Sequence, residues 1–162
     1  ETAGSVKGFY VVVDRETVPS DIKLAAEVDI DHSYSQGMSS VSQATLALLL
    51  ALDLVYAKDI TIVGRGHAVQ NLTKYLTLDN ATVTVAHSKT KSLLQATMNR
   101  DVVIYATPTI TKDISYNTRD LVIDLGNSVP HPDRFNCSYV NRIGQLTVSV
   151  LLNRFARKEH RA

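Results

Sequence analysis

Two short stretches of the chain carry residue types that could handle a phosphorylated ligand. In the first, Ile60-Thr61-Ile62-Val63 runs straight into Gly64-Arg65-Gly66. A short, β-branched, nearly continuous apolar run of this kind reads as a strand buried on both faces. Glycines after such a strand let the backbone turn tightly and approach a phosphate. A helix starting at once would aim its unpaired N–H groups at the same anion. The pattern predicts that helix directly after Gly66, the context a dinucleotide loop requires. The third glycine of the usual loop is missing, with Val69 and Gln70 in its neighbourhood. An ordinary strand-to-helix turn would use the same two glycines, so this loop alone leaves nucleotide binding open.

The second stretch decides more. Val83-Thr84-Val85-Ala86 ends in His87-Ser88-Lys89-Thr90. A site that prefers NAD places Asp or Glu here, to accept hydrogen bonds from the ribose hydroxyls. This chain has an imidazole, hydroxyls and an ammonium instead, and no carboxylate to repel a phosphate. Arg65 can reach the same phosphate with a charge-assisted, bidentate contact. The expected cofactor is NADP, with NAD as the alternative. The competing account is a solvated loop with incidental basic residues.

The elements that must position these residues follow from periodicity. Ile60 to Val63, Thr82 to Ala86, Val102 to Ala106 and Leu121 to Leu125 read as buried strands, and Gly8 to Val13 has the same look. Ser39 to Tyr56 is predicted helical, with Leu46, Leu49, Leu50 and Leu54 on one face and serines as caps. Val69 to Leu78 sets Leu72, Tyr75 and Leu76 at helical spacing, and Leu146 to Phe155 does so with Leu146, Val150, Leu151 and Phe155. Asn127 to Asn136, with Pro130 and Pro132, reads as a loop. Alternating strands and helices imply a parallel sheet with right-handed crossovers. The expected fold class is α/β, a Rossmann-type doubly wound, mainly parallel sheet with helices on both faces.

Bulk properties narrow the setting. The chain has 162 residues, enough for one core, with 44% hydrophobic and 20% charged residues and a formal charge of +1. That balance gives no field that would select nucleic acid or a membrane surface. The apolar stretch from Leu46 to Leu54 is broken by Asp53 and is too short to span a bilayer. A single cysteine, Cys137, excludes an internal disulfide and points to a reducing, cytoplasmic compartment. No signal-peptide pattern is legible. The start Glu1-Thr2-Ala3-Gly4-Ser5 lacks an initiator Met, as at a processed end or in a fragment of a longer chain, and the sequence leaves these alternatives open.

At these motifs the chain resembles the bifunctional methylenetetrahydrofolate dehydrogenase/cyclohydrolase family. Gly64-Arg65-Gly66 stands where that family has Gly-Arg-Ser. Ala81-Thr82-Val83-Thr84-Val85-Ala86-His87-Ser88-Lys89-Thr90 is similar to its Ala-Thr-Val-Thr-x-x-His-Ser-x-Thr. Arg100-Asp101-Val102-Val103-Ile104, Val122-Ile123-Asp124-Leu125-Gly126 and Gly144-Gln145-Leu146-Thr147-Val148 resemble its later segments in order. The resemblance implies that residues 38–162 form the NAD(P)-binding Rossmann domain and residues 1–37 the tail of an N-terminal catalytic domain. It implies that Arg65 and Ser88 contact the ribose phosphate, that Gly64, Gly66 and His87 line the dinucleotide, and that Thr147 lies near the nicotinamide. The candidate cofactor-binding set is Gly64, Arg65, Gly66, His87, Ser88, Thr90, Thr107 and Thr147. Family members oxidise methylenetetrahydrofolate by hydride transfer to NAD(P), then hydrolyse the methenyl product. A homodimer is expected by the same analogy.

Departures fall mostly on the folate side. The family's catalytic lysine follows a tyrosine by four residues, and no tyrosine here has that partner. Asp29-Ile30-Asp31-His32, Ser40-Val41-Ser42-Gln43 and Val140-Asn141-Arg142 replace its Asp-Val-Asp-Gly, Pro-Cys-Thr-Pro and Pro-Gly-Gly. The serine after Arg65 is Gly66, and Gln70 and Leu72 replace a following glycine and proline. No catalytic residue is assigned, and the chain alone is expected not to turn over folate. The alternative is a degenerate, non-catalytic module that binds nucleotide or protein.

Other chemistry finds little support. His87 and Ser88 lack the Gly-x-Ser-x-Gly elbow of a hydrolase triad. His131 and Cys137 have no zinc spacing, so no metal is expected. Asp29 and Asp31 read as solvated or capping. Asp124, ending an apolar strand, is either a ligand-side carboxylate or a structural bond to a neighbouring loop. The basic end after Phe155 suits a helix terminus.

Overall fold

The computed structural model describes residues 37–141, 143 and 144. The expected strand Gly8 to Val13, the closing helix with Thr147 and the expected tail up to residue 36 lie outside them.

Five strands form one sheet: β1 (Asp59–Val63), β2 (Thr82–Ala86), β3 (Arg100–Tyr105), β4 (Thr118–Asp124) and β5 (Ser138–Val140). Their spatial order is β2-β1-β3-β4-β5, and every neighbouring pair is parallel. Among the described residues three α-helices accompany them: α1 (Ser40–Ala51), α2 (Leu72–Leu78) and α3 (Leu93–Thr97).

Alternation along each strand splits the core in two. Ile60, Ile62, Val102, Ile104, Leu121 and Ile123 pack with Leu49 of α1 and Leu72 and Leu76 of α2. Val63, Val103, Tyr105 and Val122 face the other way, onto Leu93 of α3, Ile114, Val129 and Phe135. Both faces are covered, which is why the strands read as unbroken apolar runs rather than alternating ones. Burying each such side chain contributes about 1.5–3 kcal/mol. The doubly wound, Rossmann-type architecture expected from the sequence is the one observed.

Several boundaries differ from the sequence reading, each for a local reason. The first helix does start behind a serine cap: the Ser39 hydroxyl accepts from Ser42 N at 3.1 Å. It ends at Ala51 rather than Tyr56, because Asp53 takes a left-handed φ of 58° that an α-helix cannot continue. Its buried face is Ser40, Ser42, Ala44, Thr45 and Leu49, while Leu50 is 50% exposed. Of the predicted leucine face, Leu49 is fully buried and Leu46 and Leu54 pack against the core, while Leu50 turns to solvent beside the small buried residues. The second helix starts at Leu72 rather than Val69. A 3₁₀ turn at His67–Val69 comes first, closed by Val69 N to Gly66 O at 3.2 Å and Gln70 N to His67 O at 3.0 Å. Asn71, at φ 59°, then resets the chain before α2. Strand β3 ends at Tyr105 and β4 at Asp124, each one residue earlier than read. Neither α3 nor β5 was foreseen. Five and three residues are too few to show a period.

Candidate functional site

The chain leaves β1 outward to β2 and then crosses back to β3 on the other side of β1. Strand order reverses there, and in open parallel sheets ligands bind in the crevice beyond the strand ends at such a point. Gly64, His87, Ala106 and Leu125 are the first residues past β1, β2, β3 and β4.

Backbone bonds bring these ends together. Gly64 N donates to Ala86 O at 2.8 Å, Ala106 N to Val63 O at 2.7 Å and Leu125 N to Tyr105 O at 2.8 Å. Gly64 is buried at φ 120°, a conformation open to glycine alone. A Cβ there would stand 3.0 Å from Ala106 O and 3.2 Å from Thr107 Cγ2. Gly126 is tighter still: its Cβ would lie 1.9 Å from Thr107 O. Both glycines are therefore required by close approach to the segment after β3. Gly66 is under no such constraint, since a Cβ would meet nothing within 4 Å. It is exposed, as is Arg65, leaving the loop surface open. The loop is steadied from behind by α1, where Ser42 Oγ donates to Ala68 O at 2.9 Å. No helix starts at Gly66, so phosphate-directed N–H groups would come from the loop and the 3₁₀ turn.

The His87–Thr90 segment is a closed turn. Thr90 N donates to His87 O at 2.9 Å, His87 N to Thr90 Oγ1 at 2.8 Å and Lys89 N to His87 Nδ1 at 3.1 Å. Because Nδ1 accepts, the proton of the neutral ring sits on Nε2, which is left as a donor. Thr90 is thus committed to holding the turn. The Ser88 and Lys89 side chains are exposed. Thr107 has its hydroxyl enclosed and without a hydrogen-bond partner among the described residues. Gly64, His87, Thr107 and the unforeseen Gly126 thus share one crest. Thr147 lies outside the described residues. Sequence reading also missed Lys112, whose Nζ donates to Ser88 O at 3.0 Å and Thr90 O at 2.8 Å. A lysine in a loop more than twenty residues away carries no local signal.

Asp124 resolves in favour of its structural role. It is fully buried and accepts from Ser128 N at 3.0 Å, Val129 N at 3.0 Å and Tyr139 Oη at 2.7 Å. Burial, then the bond to this carboxylate, pushes the Tyr139 phenol up to about 12. Burial likewise raises the Cys137 thiol.

Residues 39–141 match the family described as tetrahydrofolate dehydrogenase/cyclohydrolase, NAD(P)-binding domain. A "Bifunctional protein FolD" of Staphylococcus saprophyticus is 30% identical over 143 residues, covering 76% of this chain and 50% of its own. One of Clostridium beijerinckii is 37% identical over 90 residues, covering 54% of this chain and 32% of its own. The chain thus spans half or less of the length of these relatives. Among solved structures, the Campylobacter jejuni FolD methylenetetrahydrofolate dehydrogenase/cyclohydrolase superposes with a TM-score of 0.63 at 22% identity, over 77% of this chain and 51% of that one. The Trypanosoma brucei FolD, complexed with NADP cofactor and inhibitor, gives 0.61 at 21%, over 83% and 59%. With the family's domain covering the whole sheet and the crest of glycines at its strand ends, the chain belongs to the tetrahydrofolate dehydrogenase/cyclohydrolase family through its NAD(P)-binding domain.

Proposed function

We propose that this chain is the NADP-binding part of a methylenetetrahydrofolate dehydrogenase/methenyltetrahydrofolate cyclohydrolase-like protein, inactive on folate by itself. The observation that carries the cofactor choice is the carboxylate-free His87–Thr90 turn at the end of β2, with exposed Arg65 one strand away. A carboxylate there would repel a ribose phosphate and favour ribose hydroxyls. Here Arg65 and Ser88 hold the phosphate, and the Gly64–Gly66 backbone follows the pyrophosphate. The residues fit such a ligand: Gly66 leaves open space above the loop, and the enclosed Thr107 Oγ1 has no hydrogen-bond partner among the described residues. Bound NADP would supply the hydride acceptor. His87, with Nδ1 occupied by Lys89 N, orients Nε2–H as a fixed donor beside the dinucleotide.

Chemistry on folate needs a positioned acid/base group as well. No tyrosine in this sequence has a lysine four residues on, so that group comes from outside the chain. A homodimer and a cytoplasmic setting belong to the same reading, the first checked by analytical ultracentrifugation. Calorimetric titration of the purified chain with NADP and, separately, with NAD tests the cofactor. Tighter binding of NADP is the expected result. A folded sample that binds neither leaves a Rossmann-type relative without a nucleotide. Turnover of methylenetetrahydrofolate by this chain alone would refute its inactivity.

A further inference from the structure

Lys112 lies on the connection between β3 and β4, yet its ammonium reaches the turn that follows β2. Its Nζ donates to Ser88 O at 3.0 Å and to Thr90 O at 2.8 Å. The turn does not need it to close. Thr90 N to His87 O at 2.9 Å and His87 N to Thr90 Oγ1 at 2.8 Å already do that. What the turn leaves over is electrostatic: two carbonyl oxygens that converge on one point. Two negative dipole ends gathered in one place repel an incoming phosphate unless a cation answers them.

We infer that Lys112 is a specificity-determining positioning residue, which turns the Ser88–Thr90 backbone into a net positive platform and so biases the chain toward nucleotides carrying a ribose phosphate. This rests on the NADP reading above. Lys112 acts through the turn and need not touch the ligand. The carbonyl it binds and the hydroxyl proposed to meet the phosphate belong to the same residue, Ser88. Its charge therefore lies within about 10 Å, roughly one Debye length at 0.1 M salt, of whatever that hydroxyl binds. An ammonium with three donors is suited to bridging two carbonyls while keeping its unit charge. Its exposed position reduces the effect without cancelling it.

The test compares Lys112→Met, Lys112→Arg and the unchanged chain, each titrated calorimetrically with NADP and with NAD. Lys112→Met is expected to weaken NADP about tenfold and NAD no more than about twofold, since only the phosphate senses the lost charge. Lys112→Arg keeps the charge and is expected to hold the NADP-to-NAD ratio within about threefold of the original. Thermal midpoints report whether each variant is folded. Lys112→Met with an unaltered ratio, or with equal losses for both nucleotides, overturns the inference and leaves a purely structural clamp. Should the unchanged chain prefer NADP, and Arg65→Ala abolish that preference while Lys112→Met does not, the inference alone fails. Should the unchanged chain bind neither nucleotide, the NADP reading fails and takes this inference with it.

Discussion

Replacing Asp124 by Asn probes the junction that shapes the crest beside β4. The carboxylate is fully buried and accepts three hydrogen bonds, two at 3.0 Å from Ser128 N and Val129 N and one at 2.7 Å from Tyr139 Oη. An amide of the same shape offers one acceptor oxygen and turns an NH₂ toward at least one of those donors. Losing one hydrogen bond to a charged group costs about 1.5–3 kcal/mol, and the remaining bonds weaken as the charge disappears. The expected destabilisation is therefore about 2–4 kcal/mol. For a domain of this size each kcal/mol moves the thermal midpoint by about 2–4 °C, so a fall of about 5–15 °C should appear in calorimetry. Tyr139→Phe removes one of the same bonds, so the double variant should lose less than the two single losses added together. A midpoint for Asp124→Asn within about 1 °C of the original would refute the claim that this carboxylate holds the 126–129 loop.

The pH dependence of the same network has a definite sign. The Tyr139 phenol is held up to about 12, first by burial and then by its bond to the Asp124 carboxylate. In the unfolded chain it ionises near its ordinary value, about 10. Between those values the folded state keeps a proton that the unfolded state has lost. The stabilisation is fully present below about pH 10 and disappears as pH rises toward 12. Denaturation midpoints taken across that window should fall less steeply for Tyr139→Phe than for the unchanged chain.

Arg65→Ala should weaken NADP by about 10–100-fold, the loss of a charge-assisted contact, and NAD far less; equal losses would place Arg65 elsewhere. Gly126→Ala sets a Cβ 1.9 Å from Thr107 O, a backbone atom that cannot rotate away. It should cost about 1–3 kcal/mol or more in chemical denaturation, and an unchanged midpoint would contradict the close approach. Thr61→Val removes a 2.6 Å bond from a fully buried hydroxyl to Ala96 O. A loss of about 1 kcal/mol is expected, readable in urea titration.

The fold class and the two motif-bearing strand ends were legible because they depend on local pattern. Ile60–Val63 is buried throughout, as a sheet covered on both faces requires, whereas Thr82–Ala86, an edge strand with Thr82 and Val85 exposed, was legible from its β-branched run alone. Gly64 announced a tight turn, and the missing carboxylate after Ala86 announced the expected ligand preference. Helix ends were less legible. Asp53 and Asn71 take left-handed conformations at φ 58° and 59°, and many sequences place such residues inside helices. The predicted helix directly after Gly66 failed there, replaced by a 3₁₀ turn ahead of Leu72.

By itself, the order of residues determined the alternation of strands and helices, the glycine turn after β1 and the basic, hydroxyl-rich turn after β2, since each is encoded within about ten neighbouring residues. Tertiary structure decided what those turns meet. Gly126 is a glycine because Thr107 O occupies the space of its side chain. Asp124 is structural because Tyr139, fifteen residues on, donates to it. Lys112 joins the crest because a crossover brings β3 back beside β1 and swings its following loop over Ser88 and Thr90. Contacts between distant residues are set by how the sheet closes, and no local spacing records them.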